Sequence, residues 1–200
     1  MDRLILINSF YPLPEGFEKG LMLTKAGGRT FEQETGRALE RMLAAARNEG
    51  IEISVISGYR STDYQQLLWE RSVNDAMRDG LSYENALELT RRTLALPGCS
   101  EHNAGIAADL GTPGSDDCEE DFHRTPQGRW LCVNAHLYGF ILRYPRMKEH
   151  ITGISYEPWH YRYVGPQAAA LIKESGCCLE EFLHFYSDRF TLPCKNSGPP

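Results

Sequence analysis

Ser100-Glu101-His102-Asn103-Ala104-Gly105-Ile106-Ala107-Ala108-Asp109-Leu110 is the stretch on which the reading of this chain turns. Pro97-Gly98 breaks whatever precedes it, and Ile106 to Leu110 reads as a short strand leaving a loop. His102 in the loop and Asp109 in the strand are donors of the kind that hold a transition metal.

Working upstream, Ile51, Ile53 and Val55 alternate with Glu52 and Ser54, the period of a half-buried strand that ends at Ser57-Gly58. Before it, Thr30 with Gln33 has the capping-box pattern and predicts a helix. Phe31, Ala38, Leu39, Met42, Leu43 and Ala46 form its buried face, and Gly50 closes it. After it, Ser61 to about Asp79 predicts a helix with Leu67, Leu68 and Trp69 inside, and Ser82 to Leu94 a second. A short strand is expected at Leu4 to Ile7.

Downstream, residues 111–124 suit a solvated loop, and Thr125-Pro126 starts a helix to about Leu137. Phe140-Ile141-Leu142 and Tyr161 to Val164 read as strands, Gly165-Pro166 opens a helix, and Leu179 to Tyr186 forms another. There is no regular βαβ alternation and no repeat. The expected fold class is α+β, a small antiparallel sheet carrying the site and flanked by helices. Residues 1–190 are expected as a single catalytic domain and 191–200 as a flexible tail.

The 200 residues carry a net charge of −6, with no basic stripe for nucleic acid or anionic lipid. No apolar run approaches the ~20 residues of a membrane span. Leu4-Ile5-Leu6-Ile7 is too short for a signal-peptide core, so the expectation is cytoplasmic, a secreted chain trimmed of its leader being the alternative. Cys99, Cys118, Cys132, Cys177, Cys178 and Cys194 are irregularly spaced without a C-x-x-C knuckle, and are expected as free thiols.

Three segments gather the chemistry: Ser57-Gly58-Tyr59-Arg60-Ser61, Ser100 to Asp109, and Glu157-Pro158-Trp159-His160. A catalytic zinc takes three protein ligands and keeps a fourth position open. His102, Asp109 and His160 satisfy that count and leave the ion one net positive charge, enough to acidify a water and polarise a carbonyl. Pro158 biases Glu157 away from the helical region, so that a kinked backbone turns Glu157 and His160 toward one pocket. Glu157 is then placed as general base. Arg60, just past a strand, suits a substrate carboxylate or a developing oxyanion. Ordinary readings compete: Asp109 as a turn residue, Arg60 in a surface ion pair, Trp159 as core, Glu101 as an exposed neighbour. His123, His136, His150 and His184 are read as structural or solvated.

Together the motifs Ser-Gly-Tyr-Arg-Ser, Pro-Gly-Cys-Ser-Glu-His-x-x-Gly-x-Ala-x-Asp and Tyr-Glu-Pro-Trp-His-Tyr-Arg-Tyr-Val-Gly resemble the VanY/VanXY-type D-alanyl-D-alanine carboxypeptidases over about residues 51–165. The resemblance implies the fold those enzymes share with hedgehog-type domains and one Zn2+ per chain on His102, Asp109 and His160. It also implies Glu157 as catalytic base and Arg60 as carbonyl or oxyanion stabiliser. Gln65, Ser100, Trp159 and Tyr156 match substrate-binding positions. The implied substrates are peptidoglycan peptides ending in D-Ala-D-Ala, and the dipeptide itself in the VanXY branch. An L,D-carboxypeptidase acting on tetrapeptides is the nearest alternative, and a non-catalytic zinc-binding module of the same fold a more distant one. Oligomeric state is not legible.

Overall fold

The computed structural model describes residues 2–115 and 118–190, with side chains to residue 185. The expected tail at 191–200, with Cys194, lies outside the described residues. After a 3-10 turn at Phe17–Gly20 comes a hairpin, β1 (Leu23–Ala26) and β2 (Arg29–Glu32), joined by Gly27 and Gly28. Both glycines have positive φ, 52° and 81°, which a two-residue hairpin turn of the type I′ family requires. α1 (Gln33–Asn48) follows without a break. Its cap is Glu32, whose side chain accepts from the amides of Glu34 and Thr35. Thr30, expected at the cap, sits instead inside β2, paired with Lys25; the hairpin claims its backbone.

β3 (Ser54–Ser57) leads to α2 (Thr62–Arg78) and α3 (Tyr83–Thr93), capped by Ser61 and Ser82. The pair closes on Trp69, Val73, Ala76 and Ala86. Leu67, expected inside, is 62% exposed, because the buried row of α2 runs through Gln65 and Trp69. β4 (Ala107–Gly111), α4 (Pro126–Asn134), β5 (Phe140–Leu142), the one-turn α5 (Glu149–Thr152), β6 (His160–Tyr163), α6 (Pro166–Ser175) and α7 (Leu179–Phe190) complete the order. α4 ends before Leu137, the chain tightening into a 3-10 turn over Ala135–Tyr138. The expected loop 111–124 contains a further 3-10 turn, Glu120–Arg124, that buries Phe122.

β3, β4, β6 and β5 form one antiparallel sheet in that order. Alternation divides its faces. Ala108, Leu110, Tyr161 and Tyr163 meet the α1 face of Ala38, Leu39, Met42 and Leu43 in the main core, and Asp109, His160 and Arg162 point the other way. A second cluster joins Ile141 and Val164 to Ala168, Ile172, Leu179 and Phe182 of α6 and α7. Leu4 to Ile7, expected as a strand, is not one: the carbonyls of Arg3 and Ile5 accept from Arg162 Nη2, each at 2.9 Å, so a side chain takes the place of a neighbouring strand.

Candidate metal centre

Strand register assembles the site. Asp109 on β4 lies opposite His160 on β6 and, on its other side, opposite Ser57 at the end of β3. His102 comes from a 3-10 turn, Glu101–Ala104, whose N-cap hydroxyl on Ser100 accepts from the His102 amide. Gly105 then turns the chain into β4 with φ 70°, and a Cβ there would stand 2.7 Å from the Glu32 amide nitrogen. Only glycine fits this approach of the turn to the start of α1.

One donor atom from each of His102, Asp109 and His160 lies within 4.8 Å of the other two, and all three residues are buried. His102 Nε2 is 3.2 Å from Asp109 Oδ2, and His160 Nδ1 is 3.2 Å from Asp109 Oδ1. Despite these distances, His102 Nε2 and Asp109 Oδ1 make no hydrogen bond. Leaving a buried polar atom unpaired costs about 1–3 kcal/mol. Two such atoms, one on each of two converging residues, are the condition that a cation relieves. Two imidazole nitrogens and one carboxylate oxygen, with a side open to the cavity, fit zinc.

The nitrogens are specified. His102 Nδ1 is 2.7 Å from the carbonyl oxygen of Gly58; a carbonyl only accepts, so Nδ1 carries the proton and the Nε2 lone pair faces the site. Burial, reinforced by Arg60, lowers the His102 pKa to about 4, which keeps the ring neutral. Burial pulls His160 the same way, but its contacts with Asp109 and Glu101 outweigh it and lift the pKa to about 9. Asp109 is desolvated too, yet the two histidines hold its carboxyl well below the usual range. The metal-free site therefore favours a charged His160 beside the Asp109 carboxylate.

Glu157 and His160 share one turn, in which the His160 amide donates to the Glu157 carbonyl at 3.2 Å. Glu157 Oε2 lies 3.5 Å from His160 Nδ1, beside the three converging donors without being one of them. Burial lifts its pKa to about 8, against the pull of His160. Arg60 is held at three nitrogens: Nε by Ser57 Oγ at 3.1 Å, Nη1 by Gln65 Oε1 at 3.3 Å and Nη2 by Asp109 Oδ2 at 2.9 Å. Gln65 is in turn pinned by donation to the Ala95 carbonyl at 2.8 Å.

A cavity of about 200 Å³ holds the three donors together with Arg60, Gln65, Ser100, Glu157 and Trp159. A larger cavity of about 430 Å³ shares Leu94, Ala95, Tyr144 and Ile154 with it but contains none of the donors. Trp159 both lines the cavity and packs on the main core. Tyr156 does not line it: the Arg146 guanidinium sits 4.2 Å over its ring. Tyr144 does, its ring 4.8 Å from that of His160. Sequence reasoning passed it over, although its place beside Pro145 at the end of a strand marked a turn. Glu101, expected as an exposed neighbour, is 1% exposed, because the 3-10 turn directs it inward onto two arginines.

The family model of VanY, D-alanyl-D-alanine carboxypeptidase, matches residues 28–166. The chain belongs to this family. It is 37% identical over 188 residues to the bifunctional D-Ala-D-Ala dipeptidase and D-Ala-D-Ala carboxypeptidase VanXYC of Enterococcus gallinarum, covering 91% of this chain and 94% of that one. A variant of the vancomycin-resistance D,D-pentapeptidase VanY from the VanB-type cassette, solved in complex with Zn(II), superposes with a TM-score of 0.81 at 36% identity, covering 92% of this chain and 99% of that one. The LD-carboxypeptidase LdcB superposes with a TM-score of 0.76 at 35% identity, covering 90% and 84%. The chain spans 66% and 65% of the length of the curated carboxypeptidases that it matches in Bacillus subtilis and Enterococcus faecalis, just under two thirds. It combines helices with small antiparallel sheets and shares its fold with these solved VanY-type structures.

Proposed function

We propose that this chain is a zinc D,D-carboxypeptidase. It hydrolyses the terminal D-alanine from peptidoglycan peptides ending in D-Ala-D-Ala, and splits the free dipeptide as well. The observation that carries the reading is the convergence of His102, Asp109 and His160 on unpaired donor atoms within one cavity that also holds Arg60 and Glu157.

The chemistry that Zn2+ supplies when held by His102, Asp109 and His160 is Lewis acidity toward a water and toward a carbonyl. Glu157 is the proton carrier. Its Oε2, 3.5 Å from His160 Nδ1 and beside the three converging donors, is placed to take a proton from the attacking water and return it to the leaving amine. Arg60, already fixed at three nitrogens, presents its charge to the oxyanion that develops at the scissile carbonyl without having to reorganise. Ser100 and Gln65 offer polar groups to the substrate, and Trp159 an apolar wall.

Residues 1–190 act as one catalytic unit in this proposal. Among the described residues no helix is long and apolar enough to cross a membrane. A cytoplasmic setting belongs to the proposal, supported by the free thiols of Cys99, Cys132, Cys177 and Cys178 and by the likeness to VanXYC over nearly its full length.

The test is a substrate panel of D-Ala-D-Ala, L-Lys-D-Ala-D-Ala and an L,D-tetrapeptide, each with zinc-loaded protein. Release of D-alanine from the first two supports the proposal. Turnover of the tetrapeptide alone would replace it with the L,D activity of the LdcB type.

A further inference from the structure

We infer that Glu101 is the positioning residue of His160: its carboxylate accepts the Nε2 proton of the imidazole and so turns Nδ1 toward the metal, while Glu180 on α7 steadies Glu101 through Arg143. The inference rests on the reading of His160 as a zinc ligand.

The two oxygens of Glu101 have different partners. Oε1 accepts from Arg143 Nε and Arg162 Nη1, both at 2.7 Å. Oε2 faces His160 Nε2 at 3.4 Å. A carboxylate serving only to neutralise the arginines would not need its second oxygen aimed at a candidate metal ligand. Both arginines and Glu101 are without exposed side-chain surface, so none of them can relax into water.

The far ends of the arginines are fixed as well. Arg143 Nη1 and Nη2 donate to Glu180 Oε2 and Oε1 at 2.9 and 2.7 Å, a fork that also locates α7. Arg162 Nη2 donates to the carbonyls of Arg3 and Ile5, and its Nε to that of Tyr163. Two carboxylates balance two guanidiniums, and the four side chains run in a row, Glu180–Arg143–Glu101–Arg162, behind His160. The Tyr144 ring, 4.8 Å from the imidazole and itself 4.8 Å from the Arg143 guanidinium, limits ring rotation.

The contrast with His102 sharpens the assignment. There a backbone carbonyl, that of Gly58, takes the Nδ1 proton and leaves Nε2 for the site. On His160 the roles of the nitrogens are exchanged, and the acceptor is a side chain. A carboxylate or carbonyl behind a ligating histidine orients the ring and raises its basicity, and its loss typically weakens metal binding about 10- to 100-fold.

Glu101→Gln tests this with little change of shape. Both arginines are donors, so the single amide oxygen must face them, and the amide NH2 then meets the Nε2 proton of His160, donor against donor. Zinc affinity, measured by competition with a chromophoric chelator, is expected to fall about 10- to 100-fold, and the visible spectrum of the cobalt-substituted protein to change. Glu180→Gln, at the outer end of the row, is expected to give a smaller loss in the same direction. In the zinc-loaded parent, long-range 15N–1H correlations of the imidazoles are expected to place the proton on Nε2 of His160 and on Nδ1 of His102. A purely structural Glu101 predicts a lower Tm for Glu101→Gln with unchanged zinc affinity and cobalt spectrum, and that result overturns the inference. Where Glu101→Gln does not fold, the parent's correlations decide: a proton on Nδ1 of zinc-loaded His160 overturns it equally. His160→Ala with undiminished zinc affinity would instead overturn the reading of the metal site on which the inference rests.

Discussion

Arg60 Nη2 stands 2.9 Å from Asp109 Oδ2, the same carboxylate oxygen that faces His102 Nε2 at 3.2 Å. A permanent cation therefore touches the carboxylate proposed as a metal ligand from outside, while its remaining nitrogens are held by Ser57 and Gln65. Arg60 is a fixed electrostatic element, and its charge opposes, rather than assists, a metal ion on Asp109. Arg60→Ala is expected to lower kcat/KM by about 10²- to 10³-fold with zinc content undiminished. Arg60→Lys recovers little, since an ammonium cannot span three acceptors. Steady-state kinetics with metal analysis on the same samples checks both statements.

Glu157 links activity to stability. Its folded pKa of about 8 lies above the ordinary carboxyl value, so its contribution to stability is fully present below the ordinary value and is lost as pH rises through about 8. In metal-free protein, Glu157→Gln is expected to match the parent in Tm near pH 5 and to exceed it by roughly 5 °C or more near pH 9, given roughly 2–4 °C per kcal/mol in a domain of this size. The same substitution lowers kcat by about 10²- to 10⁴-fold in the zinc-loaded enzyme. Equal melting temperatures at pH 9 would contradict the burial argument.

Zinc must displace a proton from His160. With that pKa lifted to about 9, one proton leaves per ion bound, and apparent affinity weakens by about tenfold for each pH unit below that value. Chelator competition at pH 6, 7 and 8 measures the slope. An affinity independent of pH over that range would mean that His160 is already neutral in the metal-free chain.

Gly58 supplies the carbonyl that orients His102, and a Cβ on it would stand 2.5 Å from the Thr30 carbonyl oxygen and 2.8 Å from Phe31 Cζ. Gly58→Ala is expected to destabilise by about 1–3 kcal/mol and to weaken zinc binding, because the backbone that moves is the one hydrogen-bonded to His102 Nδ1. Thermal melts and zinc titration of this variant together check it.

What the sequence made legible follows from periodicity and caps. α2 and α3 begin at the capping serines Ser61 and Ser82, and the small antiparallel sheet was readable because Ile106 to Leu110, Phe140 to Leu142 and Tyr161 to Val164 are short apolar runs between breakers. The β1–β2 hairpin was missed although Gly27-Gly28 announced its turn; Thr30 and Gln33 offered a competing local pattern, and tertiary pairing decided between them. The spatial meeting of His102, Asp109 and His160 depends on strand register, and the buried frame around Glu101 on contacts between residues 42 and 61 positions apart. No local pattern encodes either.

The most direct test strips the protein with a chelator, restores Zn2+ in steps, and follows D-alanine released from L-Lys-D-Ala-D-Ala. The account predicts no release from stripped protein and a rise that saturates at one equivalent of zinc per chain, abolished with zinc binding in His102→Ala. Release that persists in the stripped protein, or none at any zinc level, would contradict it.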